Sequence, residues 1–207
     1  MTSLTVPTPE AGSKPAQILE AAGKLFLENG YGAVSMDAVA KTANVSKATL
    51  YAHFGGKEDL FRAMVACECH SYAQATIWEE ARRMDVAEGL RLLGRRFAAL
   101  LMSPKALAGY RMVVGEAHRF PELARAFYEA GPARSLAQMT DFMADADRRG
   151  QLSIPSPRLA AEQFMGMIKS HMHMRLLFGL DQSPEEEHVA FIVDNAVALI
   201  VKGYAKG

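Results

Sequence analysis

Apolar residues recur every three or four positions along nearly the whole chain, which is the spacing of amphipathic α-helices. The pattern predicts an all-α protein of about nine helices, and no strand pattern or internal repeat stands out. We expect these helices near residues 15–30, 35–43, 46–54, 57–83, 86–102, 104–119, 122–149, 157–178 and 184–205. Gly131 and Pro132 should kink or break the seventh helix, because proline removes a helical hydrogen bond and clashes with the preceding turn.

Four serines mark expected helix starts. Ser35 and Ser46 each precede a short helical pattern, and their hydroxyls can accept a backbone N–H of the first turn. Ser156 and Ser183 stand before the last two helices in the same way, each followed by proline. Glu186 is expected to complete a capping box with Ser183.

Residues 35–60 have the layout of a helix-turn-helix, since two short helices joined by a tight turn are followed directly by a third. In the second short helix, Leu50 and Phe54 lie four positions apart and must point into a small core. The opposite face carries Ala48 and Ala52, whose low profile suits a helix that enters a major groove. The segment therefore predicts a DNA-reading unit.

Charge sets limits on this interpretation. The formal net charge is zero, which argues against non-specific coating of nucleic acid and against binding to an anionic membrane. Residues 35–57 contain three lysines, Lys41, Lys47 and Lys57, and one acidic residue, Asp37, which gives a local excess of two positive charges. Lys57 falls in a first helical turn, where the helix dipole disfavours a cation unless a phosphate docks there. Few phosphate contacts per subunit are expected, so binding should depend on two subunits acting together.

Residues 17–61 resemble the N-terminal domain of the tetracycline-repressor (TetR) family of bacterial transcriptional regulators. The resemblance is carried by "AAGKLFLENGY", Ser35, "VAKTANVSKATLYAHF" and the segment from Lys57 to Phe61, in the family's order and spacing. It implies that Lys47, Ala48 and Thr49 approach bases, and that Ser35, Tyr51, His53 and Lys57 hold phosphates of double-stranded DNA. It also implies a DNA-binding domain over residues 14–60 and an effector-binding and dimerisation domain over 61–207, and residues 1–13, which have no apolar run, are expected to form a disordered arm.

The last helix carries an apolar stripe that is too wide for one neighbouring helix to cover: Val189, Ile192, Val193, Ala196, Val197, Ile200, Val201 and Tyr204. By the resemblance, helices 157–178 and 184–205 pack against their copies as a four-helix bundle, giving a homodimer that reads a palindromic operator. The alternative is that the stripe faces only its own core.

Residues 109–178 resemble the C-terminal domain of the AefR-like branch of the family, which implies a response to a small molecule. Flexible methionines and aromatic residues suit an adaptable, largely apolar pocket. The candidate ligand residues are Glu116, His118, Met139, Phe142, Met143, Phe164, Met167, His171, Met174 and Arg175. Methionine and phenylalanine at helical spacing also occur as ordinary core, and that alternative stays open. The sequence does not identify the effector.

No catalytic, metal or cofactor site is predicted. His171 and His173 diverge on a helix, whereas helical chelation of a metal needs a spacing of three or four. The first dozen residues have no secretion signal and no stretch is long enough to span a membrane, so a cytoplasmic protein is expected. Two other functions remain open, a DNA-binding factor without an effector and a catalytic helical domain fused to a vestigial reader.

Overall fold

The computed structural model describes residues 9–10, 12–72 and 75–206, and every regular element within them is an α-helix. The predicted all-α fold is confirmed. The helices are α1 (Lys14–Asn29), α2 (Met36–Thr42), α3 (Lys47–His53), α4 (Lys57–Tyr72), α5 (Ala75–Arg83), α6 (Val86–Leu101), α7 (Pro104–Glu116), α8 (Pro121–Ala130), α9 (Pro132–Arg148), α10 (Pro157–Leu177) and α11 (Glu186–Gly203).

The described part of the chain has eleven helices rather than about nine for two reasons. The break predicted at Gly131 and Pro132 is confirmed and separates α8 from α9. The helix expected over residues 57–83 corresponds to α4 and α5, with residues 73 and 74 outside the described residues. Most of the arm expected at residues 1–13 also lies outside them, although Ser13 caps α1 by accepting a hydrogen bond from the backbone N–H of Ala16.

The predicted caps at Ser35 and Ser46 are confirmed, Ser156 occupies the predicted N-cap position without the expected hydrogen bond, and the cap predicted at Ser183 is wrong. Ser156 precedes α10 but makes no side-chain hydrogen bond to it. The last helix begins only at Glu186, after Glu185, so Ser183 does not cap it. The acidic residues of that first turn complement the positive end of the helix dipole without a capping box.

The chain forms two compact units, each made of separate stretches of sequence. The first combines the described residues up to Ser71 with Ala108–Pro132, and the second combines Tyr72–Leu107 with the described residues from Ala133 onward. The grouping concerns packing alone, and the functional division at residue 60 stays a prediction.

An aromatic cluster forms the centre of the first unit. The ring of Tyr31 lies 5.4 Å from that of Phe26, 5.7 Å from that of Phe61 and 5.4 Å from that of Phe120, measured between centroids. From α8, Leu123 is fully buried in the same core. Because aromatic side chains bury large areas and prefer such edge-on contacts, this cluster fixes the helix-turn-helix on a base that includes α8.

Helix α6 lies at the centre of the second unit and packs against α5, α10 and α11. Two of its glycines allow this close approach. A Cβ atom on Gly89 would lie 2.6 Å from the carbonyl oxygen of Ala81 in α5, and one on Gly94 would lie 2.9 Å from Cγ1 of Val193 in α11. Neither site has room for a side chain.

Helix α10 has a kink that the sequence did not predict. Ser170 has φ 37° and ψ −172°, so two helical pieces meet inside the expected 157–178 helix. Its hydroxyl oxygen is buried without a hydrogen-bond partner among the described residues. A non-glycine residue in this left-handed region stores backbone strain of roughly 1–3 kcal/mol.

His173 follows this kink and makes the stability of the fold depend on pH. Its side chain is 2% exposed, and burial, followed by the charge of Lys169, lowers its pKa to about 4. The unfolded chain binds that proton near the ordinary histidine pKa of about 6.5. The contribution of His173 to the free energy of unfolding should therefore be fully present above pH about 6.5. It should fall by up to about 3 kcal/mol as the pH drops toward 4.

Urea unfolding at several pH values tests this expectation with His173→Gln, which should flatten the pH dependence whatever its effect on stability itself. His171→Gln changes an exposed histidine of the same helix and should leave the slope unchanged. An identical slope in wild type and His173→Gln would show that another group controls acid unfolding.

Candidate nucleic-acid interface and ligand region

Local hydrogen bonds build the helix-turn-helix. The hydroxyl of Ser35 accepts from the backbone N–H of Ala38 at 3.1 Å, and that of Ser46 accepts from the backbone N–H of Thr49 at 3.0 Å. Between the two helices, Asn44 adopts φ 53°, a left-handed conformation that asparagine tolerates better than most residues. These bonds fix both helix starts and the turn, so α3 is held at a defined angle to α2.

Helix α3 has the two faces that the sequence predicts. Leu50 is fully buried and Phe54, which ends the helix, is 9% exposed. Thr49 is half-buried, with its hydroxyl oxygen 2.8 Å from that of Ser46. The other predicted contact residues of α3 are exposed: Lys47, Ala48, Tyr51 and His53. The first unit therefore presents the narrow outer surface of α3 to a binding partner.

Lys47 makes an ion pair in this structure. Its Nζ lies 2.6 Å from Oδ2 of Asp37 in α2, and both side chains are largely exposed. A surface pair of this kind contributes about 0–1 kcal/mol. That is weak enough for a phosphate or base edge to replace the carboxylate, so the pair leaves Lys47 available for the predicted base contact.

Two contacts hold the ammonium group of Lys57 in place. Its Nζ lies 4.3 Å from the centroid of the Tyr31 ring and donates to the carbonyl oxygen of Gly32 at 3.4 Å. Burial lowers the pKa of Lys57, while the nearby carboxylates of Glu116 and Glu122 act in the opposite direction. The ammonium is thus positioned at the N-terminus of α4, and its role in phosphate binding stays a prediction.

Glu116 was predicted as a ligand residue, but in the structure its carboxylate supports the helix-turn-helix unit. Its Oε2 accepts a hydrogen bond from the backbone N–H of Gly32 at 2.9 Å, 84 positions away in sequence. Glu116 and His118 belong to the first compact unit, and His118 is exposed after the end of α7. The other eight predicted ligand residues belong to the second unit.

Those eight residues do not form one pocket wall. Four of them, Met139, Phe142, Met143 and Phe164, are buried in the core of the second unit, and Met167 packs against it. The others are exposed: His171, Met174 and Arg175. The guanidinium of Arg175 donates two hydrogen bonds to Asp181, both at 2.8 Å. A ligand role for this set stays a prediction.

A small cavity lies elsewhere in the second unit, between α5, α6, α9 and α10. It encloses about 30 Å³, room for about one or two water molecules. Its lining is formed by Ile77, Trp78, Leu93, Arg96, Phe97, Leu100, Ser135, Met139 and Met165. Only Met139 was among the predicted ligand residues. Trp78 was missed, although the chain's one tryptophan was the available signal.

The apolar stripe predicted on the last helix is covered by its own subunit, which corrects the reasoning from stripe width. Val193 and Ile200, for example, are 0% and 3% exposed in the core of the second unit. A different set of large apolar side chains is exposed on α10, on α11 and on the segment between them: Leu159, Met174, Phe178, Leu180, Phe191 and Leu199. These residues are the uncovered surface available for a second subunit.

The described residues show neither a membrane-spanning helix nor a cluster of metal ligands. None of their helices combines the length and apolar character needed to cross a membrane. Within the same residues, no three histidine, cysteine, aspartate or glutamate side chains are grouped in an arrangement that could hold a metal ion.

Comparison with known proteins gives matches at both ends of the chain. Residues 18–64 match the family model of bacterial regulatory proteins of the tetR family, and residues 88–206 match that of the AefR-like transcriptional repressor C-terminal domain. The regulator IcaR of Staphylococcus aureus, a negative regulator of the biofilm operon icaADBC, is 39% identical over 56 residues. That alignment covers 27% of this chain and 30% of IcaR, less than a third of either.

Solved structures match over nearly the full length. The flavonoid-responsive regulator FrrA is 32% identical with a TM-score of 0.76, and the alignment covers 95% of this chain and 100% of FrrA. A protein from Mesorhizobium loti, described as a TetR-family transcriptional regulator, is 29% identical with a TM-score of 0.79. Here the alignment covers 92% of this chain and 96% of the other.

Proposed function

This chain belongs to the tetR family of bacterial regulatory proteins, and we propose that it is a homodimeric transcriptional repressor released from a palindromic operator by a small, largely apolar ligand. The observation that carries the proposal is the capped α3 helix, which buries Leu50 and leaves a slim outer face exposed. Such a helix can lie in a major groove, where bases are distinguished by their edges.

We assign base contacts to Lys47, Ala48 and Thr49, and phosphate contacts to Ser35, Tyr51, His53 and Lys57. The caps do not prevent these contacts. A serine hydroxyl that accepts a backbone hydrogen bond still has its own hydrogen to donate to a phosphate oxygen. Tyr51 is 51% exposed, so its phenol can reach a phosphate without moving the helix.

Two substitutions test the reader in mobility-shift titrations on an operator selected from random duplexes. Tyr51→Ala should weaken binding to all duplexes by about 30-fold, since a dimer loses two phosphate contacts of about 1 kcal/mol each. Lys47→Ala should change the preferred sequence.

Tyr128→Ala is the matched control, because Tyr128 is 54% exposed on α8, close to the 51% of Tyr51. It should bind the operator like the wild type. Full binding by both Tyr51→Ala and Lys47→Ala would show that α3 does not read DNA.

The proposed dimer forms through α10 and α11. Phe191 and Leu199 are 65% and 62% exposed. Large apolar side chains are unfavourable in water, and they suit an interface in which the same surface of two subunits meets. Two α3 helices about 34 Å apart would then read the half-sites of a palindrome.

The proposed ligand response rests on chemistry and on a relative. The second unit has a core rich in methionine and phenylalanine, which can repack around an apolar guest. FrrA is named as a flavonoid-responsive regulator, so flavonoids are the first class to examine. A ligand that binds the DNA-incompetent state a hundredfold more tightly shifts the equilibrium by about 2.7 kcal/mol per site.

Naringenin, a flavonoid, provides the test. Added to the complex of protein and operator, it should lower operator affinity in a saturable manner, measured by fluorescence anisotropy of labelled DNA. A labelled duplex bound by an unrelated repressor controls for direct effects of the compound on DNA. Operator affinity that stays constant across the titration contradicts release by this class.

A DNA-binding factor without an effector is the second candidate, and the small cavity of about 30 Å³ favours it. Ligand pockets usually enclose hundreds of cubic ångströms, roughly 300–1,000 Å³. In either case we assign the protein to the cytoplasm, where operator DNA lies, and we propose no catalytic activity and no cofactor, because its relatives are transcriptional regulators.

A further inference from the structure

Trp78 carries a polar group that the folded chain does not use. Its side chain is 8% exposed, and its Nε1 is buried without a hydrogen-bond partner among the described residues. Buried donors are nearly always paired in native proteins, since an unpaired one loses its bonds to water and gains nothing in return. Because Trp78 is also one of the residues that line the small cavity, its unpaired N–H can serve an acceptor that enters there.

Arg96 supplies a charge at the same cavity. It lies on α6, its side chain is exposed, and it forms no ion pair with any residue in the described part of the chain. Ser135 on α9 is the third lining residue that has a polar side-chain group, and the other six residues are apolar. The cavity therefore combines an apolar wall with an indole N–H, a hydroxyl and a guanidinium, a set rich in donors.

We propose that this cavity is the effector site and that it takes an apolar organic anion whose carboxylate, or equivalent anionic oxygen, accepts hydrogen bonds from Trp78 Nε1 and Arg96. The inference rests on the proposed ligand response. Arginine binds carboxylates with paired donors, and hydrogen bonds to an ionised acceptor are about twice as strong as neutral ones. A neutral hydrocarbon of the same shape leaves the indole N–H unpaired.

The site must open to admit such a ligand, because about 30 Å³ holds only a water or two. Met139 and Met165 line the cavity, and unbranched thioether side chains change rotamer more readily than branched ones. The ligand thus prefers a conformation other than the one described. A preference between two states is what a ligand needs in order to shift an equilibrium.

The intrinsic fluorescence of Trp78 reports on the site directly, because it is the only tryptophan of the chain. Two anions, 2-naphthoate and dodecanoate, cover planar and linear scaffolds, and 2-methylnaphthalene and dodecanol are their neutral partners. The full-length protein should show saturable changes in Trp78 emission with at least one anion. Its neutral partner should bind at least about tenfold more weakly.

Titration calorimetry with the same anion then compares three variants. Arg96→Gln and Trp78→Phe should each weaken binding at least about tenfold. Arg95→Gln removes the same charge one position earlier on α6, where Arg95 lines a separate groove with Met102 and Pro184, and should change affinity less than twofold. Arg96 is exposed, so Arg96→Gln remains informative if Trp78→Phe does not fold.

Three outcomes overturn the inference: no binding of either anion, equal binding of the neutral partners, or equal losses in Arg95→Gln and Arg96→Gln. The proposed function fails separately. If an anion binds at Trp78 with the expected variant pattern but leaves operator affinity unchanged, the site stands and the release mechanism does not. If the free protein does not bind duplex DNA, the proposed repressor role is refuted while the site is unaffected.

Discussion

Replacing Leu199 with glutamate should convert the proposed dimer to a monomer and lower operator affinity at least about 100-fold. Leu199 is 62% exposed on α11, which also carries the exposed Phe191, and nothing in its own subunit covers it among the described residues. In a twofold symmetric interface each residue occurs twice, so one substitution introduces two carboxylates and removes two apolar side chains. Burying each leucine contributes roughly 1.5–3 kcal/mol.

The large effect on operator affinity follows from linkage. A dimer that has bound one half-site binds the second at an effective concentration set by its own geometry, which raises overall affinity by roughly 10²–10⁴. A monomer lacks this gain even when its α3 helix is intact. Sedimentation velocity measures the oligomeric state, and mobility shifts on operators with one or two half-sites measure the loss.

Val114→Glu is the matched control, since Val114 is 61% exposed on α7, far in sequence from the proposed interface. This variant should remain dimeric with unchanged operator binding. A Leu199→Glu protein that sediments as a dimer would refute the interface, and a wild-type protein that is monomeric at operator-binding concentrations would refute the dimer itself.

Gly89→Val should destabilise the protein by about 3 kcal/mol. The Cβ atom of any residue at position 89 lies 2.6 Å from the backbone oxygen of Ala81 and 2.9 Å from Cζ of Phe142. A side chain can rotate away, whereas a backbone carbonyl of α5 can move only if the helix moves. The substitution therefore separates α5 from α6 and disturbs the wall of the cavity that contains Trp78.

Thermal unfolding followed by circular dichroism measures this effect, with an expected fall in Tm of about 6–12 °C for a chain of this size. Gly109→Val is the control, because a Cβ at Gly109, within α7, meets nothing within 4 Å. That variant should match or slightly exceed the wild-type stability, since valine favours the helix more than glycine does. Equal losses at both positions would mean that the close contact at Gly89 is not the cause.

Local rules predicted the helix-turn-helix well. The caps at Ser35 and Ser46 and the inward faces of Leu50 and Phe54 depend on residues within four positions of one another, so a single sequence contains the necessary information. The break between α8 and α9 was predictable for the same reason, because Pro132 acts on its own turn.

Features that depend on distant neighbours were not predictable. Glu116 bonds to Gly32 across 84 positions, and nothing near either residue indicates the partner. On α11, helical spacing located an apolar stripe, but packing against α6 and α10 decides that Val193 is covered and Leu199 is not. The position of Trp78 beside a cavity depends in the same way on residues of α6, α9 and α10, which lie far from it in sequence.

The base of the helix-turn-helix comes from two distant parts of the chain, since Leu123 and Ala126 complete the core around Phe61 and Tyr31. A chain cut after residue 60 would lose these core residues and expose the apolar side chains that pack against them. The helix-turn-helix is therefore not a unit that one contiguous segment of sequence can supply. A gene fusion that transfers the helix-turn-helix to another protein must also transfer residues 108–132. The two parts of the chain are therefore expected to have diverged together rather than by exchange of contiguous gene segments.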